Sequence, residues 1–175
     1  NSQDGKNYIM DMNVCLEFAL ENRMRMAEQV FEILNFVLGH NIDVSKTINR
    51  NHNHAELKDG LWIHRKGATQ AELGMLGIIP GNMKDGSFIV RGKGNEDSLW
   101  SSSHGAGRLF SRTKAKELLS IHSFKKDMSG ITAKVCKATL DESAGAYKDI
   151  HMVMANQEDL VDVVAHVVPI INIKA

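Results

Sequence analysis

Ser102-Ser103-His104-Gly105-Ala106-Gly107-Arg108 sets one histidine between two serines and a Gly-Ala-Gly run, and Ser111-Arg112 follows. Small residues let a bulky group approach the backbone, and glycine permits the positive φ angles that aim backbone N–H groups at an anion. Arginines such as Arg108 and Arg112 offer planar pairs of donors that suit phosphate oxygens. The stretch therefore favours His104 as a catalytic residue that handles a phosphorylated ligand. The alternative is a tight turn with a solvated histidine.

Five further motifs lie around this stretch, and their order is informative. They are His52-Asn53, His64-Arg65-Lys66-Gly67-Ala68-Thr69, Pro80-Gly81-Asn82-Met83-Lys84-Asp85-Gly86-Ser87, Asp141-Glu142-Ser143-Ala144-Gly145-Ala146-Tyr147-Lys148-Asp149 and Ile173-Lys174. In this order and company the motifs resemble the RtcB family of GTP-dependent tRNA-splicing RNA ligases. The resemblance runs from about Tyr8 to the last residue.

The resemblance covers only part of such a ligase, because RtcB proteins are much longer than this 175-residue chain. Their N-terminal part carries an acidic and cysteine metal-binding motif and two further histidine motifs, and none of the three occurs in this sequence. We therefore expect residues 1–175 to form the C-terminal portion of an RtcB-like catalytic domain without its N-terminal metal-binding segment. The implied partners are RNA, GTP, and the missing segment or a partner chain that supplies it.

The resemblance also implies roles for individual residues. His104 stands at the position of the family's nucleophile, which attacks the α-phosphorus of GTP and carries GMP as a covalent intermediate. His52 stands at the position of a histidine that binds manganese. Other positions are implied to contact the guanylate or RNA phosphates. The guanylate set is Asn82, Ser87, Gly105, Ala106, Gly107, Tyr147 and Lys174, and the RNA set is Arg65, Lys66, Arg108 and Arg112.

Two of these positions depart from the family pattern. Many relatives have serine at the position of Asn82, whose amide also donates a hydrogen bond but with a different reach. Most relatives end in Lys-Gly, whereas this chain ends in Lys174-Ala175. Tyr147 has a ring that suits stacking on guanine, with a core tyrosine as the alternative.

Composition places the chain among ordinary globular proteins, with 43% hydrophobic and 24% charged residues. No apolar run approaches the ~20 residues that a membrane span needs. Cys15 and Cys136 form no CxxC pair, so we expect buried, reduced thiols in a cytoplasmic protein rather than a disulfide or a zinc site. The net charge is zero, but residues 101–137 hold eight Lys or Arg and two acids. This local positive excess suits an RNA backbone, with a solvated helix face as the alternative.

The apolar spacing predicts an α+β fold, with strands and helices around one core. A long helix is expected over residues 10–38, since apolar residues recur every four positions from Val14 and Gly39 suits its end. Short apolar runs bounded by glycine and charge predict strands, and the Gly- and Ser-rich stretch before Arg108 predicts an ordered loop. The expected strands are 61–63 and 87–90, the loop is 92–107, and a second helix is 113–119.

A last helix is expected after Asn156, which is a favourable N-cap residue. Pro169 would end this helix, because proline cannot continue it. Residues 170–173 are expected to form a final strand. The buried side of the helix would carry Leu160, Val163, Val164 and Val167.

The implied activity is that of an RNA ligase that uses GTP and manganese. It would join a 3′-phosphate or 2′,3′-cyclic phosphate end to a 5′-hydroxyl end, in tRNA splicing or RNA repair. His104 would be guanylylated, GMP would pass to the RNA 3′-phosphate, and the 5′-hydroxyl would displace GMP. The competing interpretation is a non-catalytic guanine-nucleotide or RNA-binding fragment, or one half of a split complex.

Overall fold

The computed structural model describes residues 2–174 and contains both helices and antiparallel sheets, so the predicted α+β class is confirmed. The chain divides into two compact units, called unit 1 (Asn1–Lys66) and unit 2 (Gly67–Ala175). Among the described helices, none has the length and apolar character that crossing a membrane requires.

Unit 1 begins with one long helix. α1 runs over Gln3–Leu38, so it starts before the predicted residue 10 and ends where predicted. The Ser2 hydroxyl caps its N-terminus by accepting a hydrogen bond from the Gly5 N–H (3.1 Å). Gly39 ends it in the left-handed conformation, with a φ of 69°. None of its residues is fully buried. Apolar side chains such as Val14 and Phe18 are exposed, whereas Leu16 and Phe31 are half-buried. Cys15 is exposed rather than buried as predicted.

A β-hairpin follows in unit 1. β1 (Asn53–Lys58) pairs antiparallel with β2 (Leu61–Lys66). The two-residue turn Asp59-Gly60 has positive φ angles at both positions, 50° and 79°, as a type I′ turn requires. On β2 the buried residues are Ile63 and Arg65, which alternate with exposed neighbours and therefore share one face of the strand.

Unit 2 is built from short elements. Its strands are β3 (Ala68–Gln70), β4 (Leu76–Pro80), β5 (Ser87–Gly92), β6 (Ser101–Ser103), β7 (Thr132–Ala133), β8 (Val161–Val167) and β9 (Ile171–Asn172). Its helices are α2 (Arg112–Leu118), α3 (Ile121–Asp127) and α4 (Ile150–Ala155), with 3₁₀ turns at Lys137–Glu142 and Ala144–Ala146. The largest sheet is antiparallel in the order β4-β5-β8, while β3 pairs with β6 and β7 runs parallel to β9.

Two clusters of buried apolar side chains lie in unit 2, where the sequence predicted one core. The first joins the sheet to α4 and includes Ile79, Phe88 and Ile150. The second includes Phe124 of α3 and Met83. Because Ile79 precedes the β4–β5 loop and Met83 lies within it, both clusters anchor this loop.

The predicted last helix after Asn156 is wrong. α4 ends at Ala155, Asn156 is its C-cap, residues 157–160 form a turn, and β8 begins at Val161. Four of the seven residues of β8 are valine, whose branched Cβ favours strands over helices. Val163, expected on the buried side of a helix, is 54% exposed.

The other predicted elements are confirmed with shifted bounds. The strands expected at 61–63 and 87–90 are parts of β2 and β5, and the final strand is the shorter β9. The helix expected at 113–119 is α2, which begins one residue earlier. The predicted loop 92–107 contains β6, which ends just before His104.

Candidate nucleotide-binding site

The site begins with a contact between two loops of unit 2. One loop carries His104 directly after β6. The other, called the 80–87 loop, connects β4 to β5 and includes the strand residue at each end. The Ala106 N–H donates to the Pro80 carbonyl (2.9 Å), and a Cβ on Gly105 would lie 3.0 Å from that same oxygen. A side chain at position 105 would crowd this carbonyl, so glycine is what lets the loops come together.

A cleft of about 480 Å³ is lined by both loops and by residues from later in unit 2. Its size is that of a small-molecule site. All eight residues that the sequence assigned to the guanylate line this one cleft, and so does Arg108. Glu142 and Asn172 also line it, although the sequence assigned them no role. The eight are Asn82, Ser87, His104, Gly105, Ala106, Gly107, Tyr147 and Lys174.

Asn82 organises the 80–87 loop. Its Oδ1 accepts hydrogen bonds from the backbone N–H groups of Lys84 (2.9 Å) and Asp85 (3.0 Å), and its Nδ2 donates to Asp85 Oδ2 (2.7 Å). This is an Asx turn, in which a side-chain oxygen replaces a backbone acceptor. An amide nitrogen carries two N–H groups, so the second N–H of Asn82 is available to a ligand in the cleft.

The backbone around His104 is fixed by its neighbours. His104 is half-buried. The Ser103 N–H donates to Gln157 Oε1 (2.9 Å), and the Ser103 hydroxyl donates to the Gly105 carbonyl (2.6 Å). Gln157 is 4% exposed, so its hydrogen bond is shielded from water. No motif pointed to Gln157, because it lies 54 residues from Ser103 in the chain.

Glu142 is the acidic residue among those that line the cleft, and four donors surround it. Its Oε2 accepts a hydrogen bond from the Tyr147 hydroxyl (2.7 Å) and lies 3.7 Å from Lys174 Nζ. Its Oε1 accepts a hydrogen bond from Arg112 and lies 3.8 Å from Arg108 Nη1. Glu142 therefore links two residues assigned to guanine with two arginines assigned to RNA.

The protonation states of this group follow from its contacts. Burial opposes ionisation of Glu142, but hydrogen bonds from Tyr147 and Arg112 outweigh it and hold its pKa below the usual 4.5. Burial and the hydrogen bond to Glu142 raise the pKa of Tyr147. Hydrogen bonds from Arg112 and Lys116 likewise outweigh burial and lower the pKa of Asp141. At neutral pH the phenol of Tyr147 therefore donates to an ionised Glu142.

Arg108 and Arg112 are largely engaged by the protein. Arg108 donates to the Tyr147 hydroxyl (3.0 Å) and to two backbone carbonyls (2.6 and 3.1 Å). Its guanidinium carbon lies 4.9 Å from the centroid of the Tyr147 ring. Arg112 pairs with Asp141 (2.7 Å) as well as with Glu142. Their contacts with RNA stay a prediction. Each guanidinium has five N–H donors, and those not used by the protein could bind a phosphate.

Arg65 and Lys66 lie together at the end of β2 in unit 1 but differ in exposure. Arg65 is 2% exposed, and its Nη1 pairs with Glu56 Oε1 at 2.5 Å. Lys66 is exposed. The predicted RNA contact does not fit the position of Arg65, because so deeply buried a side chain cannot reach an RNA phosphate without rearrangement. Lys66 is accessible to one.

His52, the predicted metal ligand, is exposed just before β1. His54 is 8% exposed and its Nδ1 has no hydrogen-bond partner. Burial and the nearby Arg65 lower the pKa of His54, so its imidazole is neutral. Across residues 2–174, no three His, Cys, Asp or Glu side chains are grouped so as to hold a metal ion. The residues present therefore do not complete a manganese site.

Comparison with known proteins agrees with the resemblance. The family model described as tRNA-splicing ligase RtcB matches residues 1–175. The chain is 42% identical over 156 residues to the RNA-splicing ligase RtcB of Escherichia coli (strain K12), an alignment covering 84% of this chain and 38% of that protein. It is 33% identical over 190 residues to the tRNA-splicing ligase RtcB of Nanoarchaeum equitans, covering 91% of this chain and 40% of that protein.

A more distant relative gives the same assignment. The RNA-splicing ligase RtcB of Mycobacterium tuberculosis is 28% identical over 197 residues, covering 97% of this chain and 45% of that protein. The chain thus spans 38% to 45% of the length of these three relatives. Because the family model matches both units and two relatives exceed 30% identity, the chain belongs to the RtcB family of tRNA-splicing ligases.

Proposed function

We propose that the protein containing this chain is a GTP-dependent RNA ligase. It joins an RNA 3′-phosphate or 2′,3′-cyclic phosphate to a 5′-hydroxyl, in tRNA splicing or RNA repair. The observation that carries the proposal is the convergence of His104 with the seven other guanylate-motif residues on one cleft. The names of the relatives, which are RNA-splicing and tRNA-splicing ligases, support the substrate class.

His104 is the nucleophile of the proposed first step. A neutral imidazole nitrogen forms a bond to the α-phosphorus of GTP while the bond from that phosphorus to the bridging oxygen breaks. Pyrophosphate leaves with the electron pair, and the remaining ring proton passes to solvent. Residues 105–107 add no bulky side chain beside His104, so a phosphate can approach it closely.

Tyr147 and Lys174 are proposed to select guanine. The Tyr147 ring stacks on the base, and stacking of this kind is worth ~1–3 kcal/mol per base. The Lys174 ammonium donates to the guanine O6 acceptor, where adenine instead presents an amino donor. Both side chains line the cleft with His104, so base selection and guanylylation take place in one pocket.

The later steps transfer GMP and join the RNA ends. A 2′,3′-cyclic phosphate end is first opened by water to a 3′-phosphate. GMP then passes from His104 to the RNA 3′-phosphate, and the 5′-hydroxyl of the second RNA displaces GMP to form the phosphodiester. Exposed cations of residues 101–137, such as Lys114, Lys125 and Lys126, are proposed to contact the RNA backbone. Binding should therefore weaken as salt rises.

The proposed ligase also depends on manganese, but this chain alone supplies only part of the metal site. His52 is the one family ligand position assigned here, and the described residues contain no metal-binding group of three. A metal site therefore needs donors from polypeptide outside this chain, and no step above is derived through the metal. This favours a second candidate for the isolated chain, a guanine-nucleotide and RNA-binding portion without ligase activity.

The central test is the intact mass of the complete protein after incubation with GTP and manganese. A GMP adduct is expected in the parent and should be absent in His104→Ala and His104→Asn. The 175-residue chain alone should give no adduct, because its residues 2–174 do not complete a metal site.

The matched control is His122→Asn, which changes an exposed histidine of α3 that does not line the cleft. It should retain the adduct. An adduct that persists in both His104 variants, or that maps to a lysine, contradicts the assignment of the nucleophile.

A further inference from the structure

We infer that Glu142 is a positioning residue for guanine selection, whose carboxylate holds the Tyr147 hydroxyl and the Lys174 ammonium where the base needs them. The inference rests on the proposed function, because it concerns the same cleft. Nothing in the motif comparison gave Glu142 a role. Its place in the structure does, because it lines the cleft and contacts both residues assigned to the base.

Both oxygens of the Glu142 carboxylate already have partners in the protein. An ionised carboxylate has about four lone-pair sites. Oε2 faces the Tyr147 hydroxyl and the Lys174 ammonium, while Oε1 faces Arg112 and Arg108. Tyr147 and Arg112 make hydrogen bonds, while Lys174 and Arg108 are ion-pair partners at 3.7 and 3.8 Å, so each oxygen already faces a donor and a cation of the protein. Glu142 therefore acts on the residues that touch the ligand.

Tyr147 is held at its hydroxyl and on one face. The hydroxyl donates to Glu142 and accepts from Arg108 Nη1 (3.0 Å), so its direction is set from two sides. The guanidinium carbon of Arg108 lies 4.9 Å from the ring centroid and covers one face. Tyr147 is half-buried and also packs against the first buried cluster, so the ring as well as the hydroxyl is held in place.

Lys174 depends on the same carboxylate. A lysine side chain has a flexible four-carbon stem and loses rotamer freedom when it is held in place. Two residues earlier, Asn172 anchors the backbone by donating from Nδ2 to the Met83 carbonyl (3.0 Å). Beyond that anchor, Glu142 Oε2 at 3.7 Å is the partner that keeps the ammonium in the cleft.

Glu142 also balances the charge of the cleft. Three cations, Arg108, Arg112 and Lys174, lie within 4.0 Å of its oxygens. Hydrogen bonds keep the pKa of Glu142 below its usual value despite burial, so it is ionised at neutral pH. Glu142→Gln therefore removes the charge while nearly preserving the shape.

The test measures guanylylation of the complete protein by intact mass, as a function of GTP and ATP concentration with manganese present. In Glu142→Gln we expect the KM for GTP to rise about tenfold, the effect of one lost charge-assisted hydrogen bond, with the maximal rate within about threefold of the parent. The preference for GTP over ATP should fall by a similar factor. Glu117→Gln, on the exposed side of α2 and outside the cleft, should change neither quantity.

Tyr147→Phe provides a second variant, because it removes the hydroxyl and keeps the ring. It should raise the KM for GTP in the same way. The KM for GTP of the double variant should exceed that of the more severe single variant by less than about twofold. The reason is that both changes break the same hydrogen bond, between Tyr147 and Glu142.

Additive effects, or a Glu142→Gln protein with the KM and nucleotide preference of the parent, would overturn the role of Glu142. A Glu142→Gln protein that loses thermal stability and maximal rate but keeps its nucleotide preference would also overturn it, in favour of a structural role. A parent protein that forms no GMP adduct would overturn the proposed function itself, and this inference with it.

Discussion

The helices of unit 1 and unit 2 differ in how they are stabilised. α1 has 36 residues and buries none of them, whereas α2, α3 and α4 have six or seven residues and each buries at least one side chain. A helix of six or seven residues is unstable by itself in water. The helices of unit 2 therefore depend on packing. α1 depends mainly on its length, its backbone hydrogen bonds and its caps, with hydrogen bonds from Arg23 to Asn49 and Asn51 in addition.

The packing of unit 2 also explains why a precisely placed binding cleft can form there. Ala106, next to His104, is buried in the first cluster of unit 2, and Met83 of the 80–87 loop is buried in the second. Both loops of the cleft are therefore fixed by the core. The described residues of unit 1 contribute to neither cluster. Precise placement of reacting groups needs this kind of support.

The largest expected effect is the loss of stability when a buried phenylalanine of unit 2 is replaced, compared with an exposed phenylalanine of unit 1. Phe124 of α3 is 1% exposed, and Phe18 of α1 is 73% exposed. Phe124→Ala should lower the free energy of unfolding by ~3–5 kcal/mol, because it removes a packed ring and leaves a cavity. Phe18→Ala should change it by less than ~0.5 kcal/mol. Urea unfolding followed by circular dichroism measures both, and equal costs at the two positions would show that the units do not differ in this way.

A smaller effect compares two glycines with similar backbone angles. Gly39 has a φ of 69° and open space where a Cβ would stand, while Gly86 has a φ of 79° and the Val167 carbonyl oxygen 2.0 Å from that point. Gly39→Ala should cost about 1–2 kcal/mol, the strain of the left-handed conformation. Gly86→Ala should cost more, because the β8 backbone must also move. Melting temperatures of the two variants measure these costs. A Gly86→Ala protein that loses no more stability than Gly39→Ala would argue against the close approach of the Val167 carbonyl to Gly86.

The smallest expected effect is on how steeply stability falls as the pH is lowered. Asp141 and Glu142 have pKa values below their usual 3.8 and 4.5, so the folded state prefers them ionised. Their stabilisation is complete above those usual values and is lost as the pH falls through the lowered ones. Melting temperature should therefore fall on acidification more steeply in the parent than in Asp141→Asn/Glu142→Gln. Glu32→Gln is the control in unit 1, because Glu32 is exposed on α1. A slope that changes as much in Glu32→Gln as in the double variant would contradict this assignment.

Local patterns predicted the fold where one signal dominates. The end of α1 could be predicted because Gly39 follows a run with apolar residues every four positions. The region after Asn156 could not, because its valines satisfy a helical spacing and a strand preference equally. Pairing with β5 decides between them, and that pairing lies about 70 residues away in the chain. A single sequence does not contain this information.

The candidate site shows the same limit. The eight guanylate residues could be predicted from motifs, but the role of Glu142 depends on Arg112 and Lys174 reaching it from distant segments. The burial of Arg65, by contrast, could have been predicted from the sequence. Arg65 lies two residues after Ile63 on β2, so strand alternation places both on one face. That pattern favours a buried, paired arginine over an RNA contact.

The position of β8 has a consequence for how the protein behaves at high concentration. β8 is an edge strand, since only β5 pairs with it among the described residues. Its exposed side chains include Val163 and Val167, and such an edge can add a strand from another molecule and start aggregation. Two features oppose this: a bulge at the β5 pairing, which twists the strand, and the charge of Asp162, held 3.0 Å from Lys93 Nζ. Solubility during expression and refolding therefore depends partly on one carboxylate at the sheet edge, away from the cleft that carries the proposed chemistry.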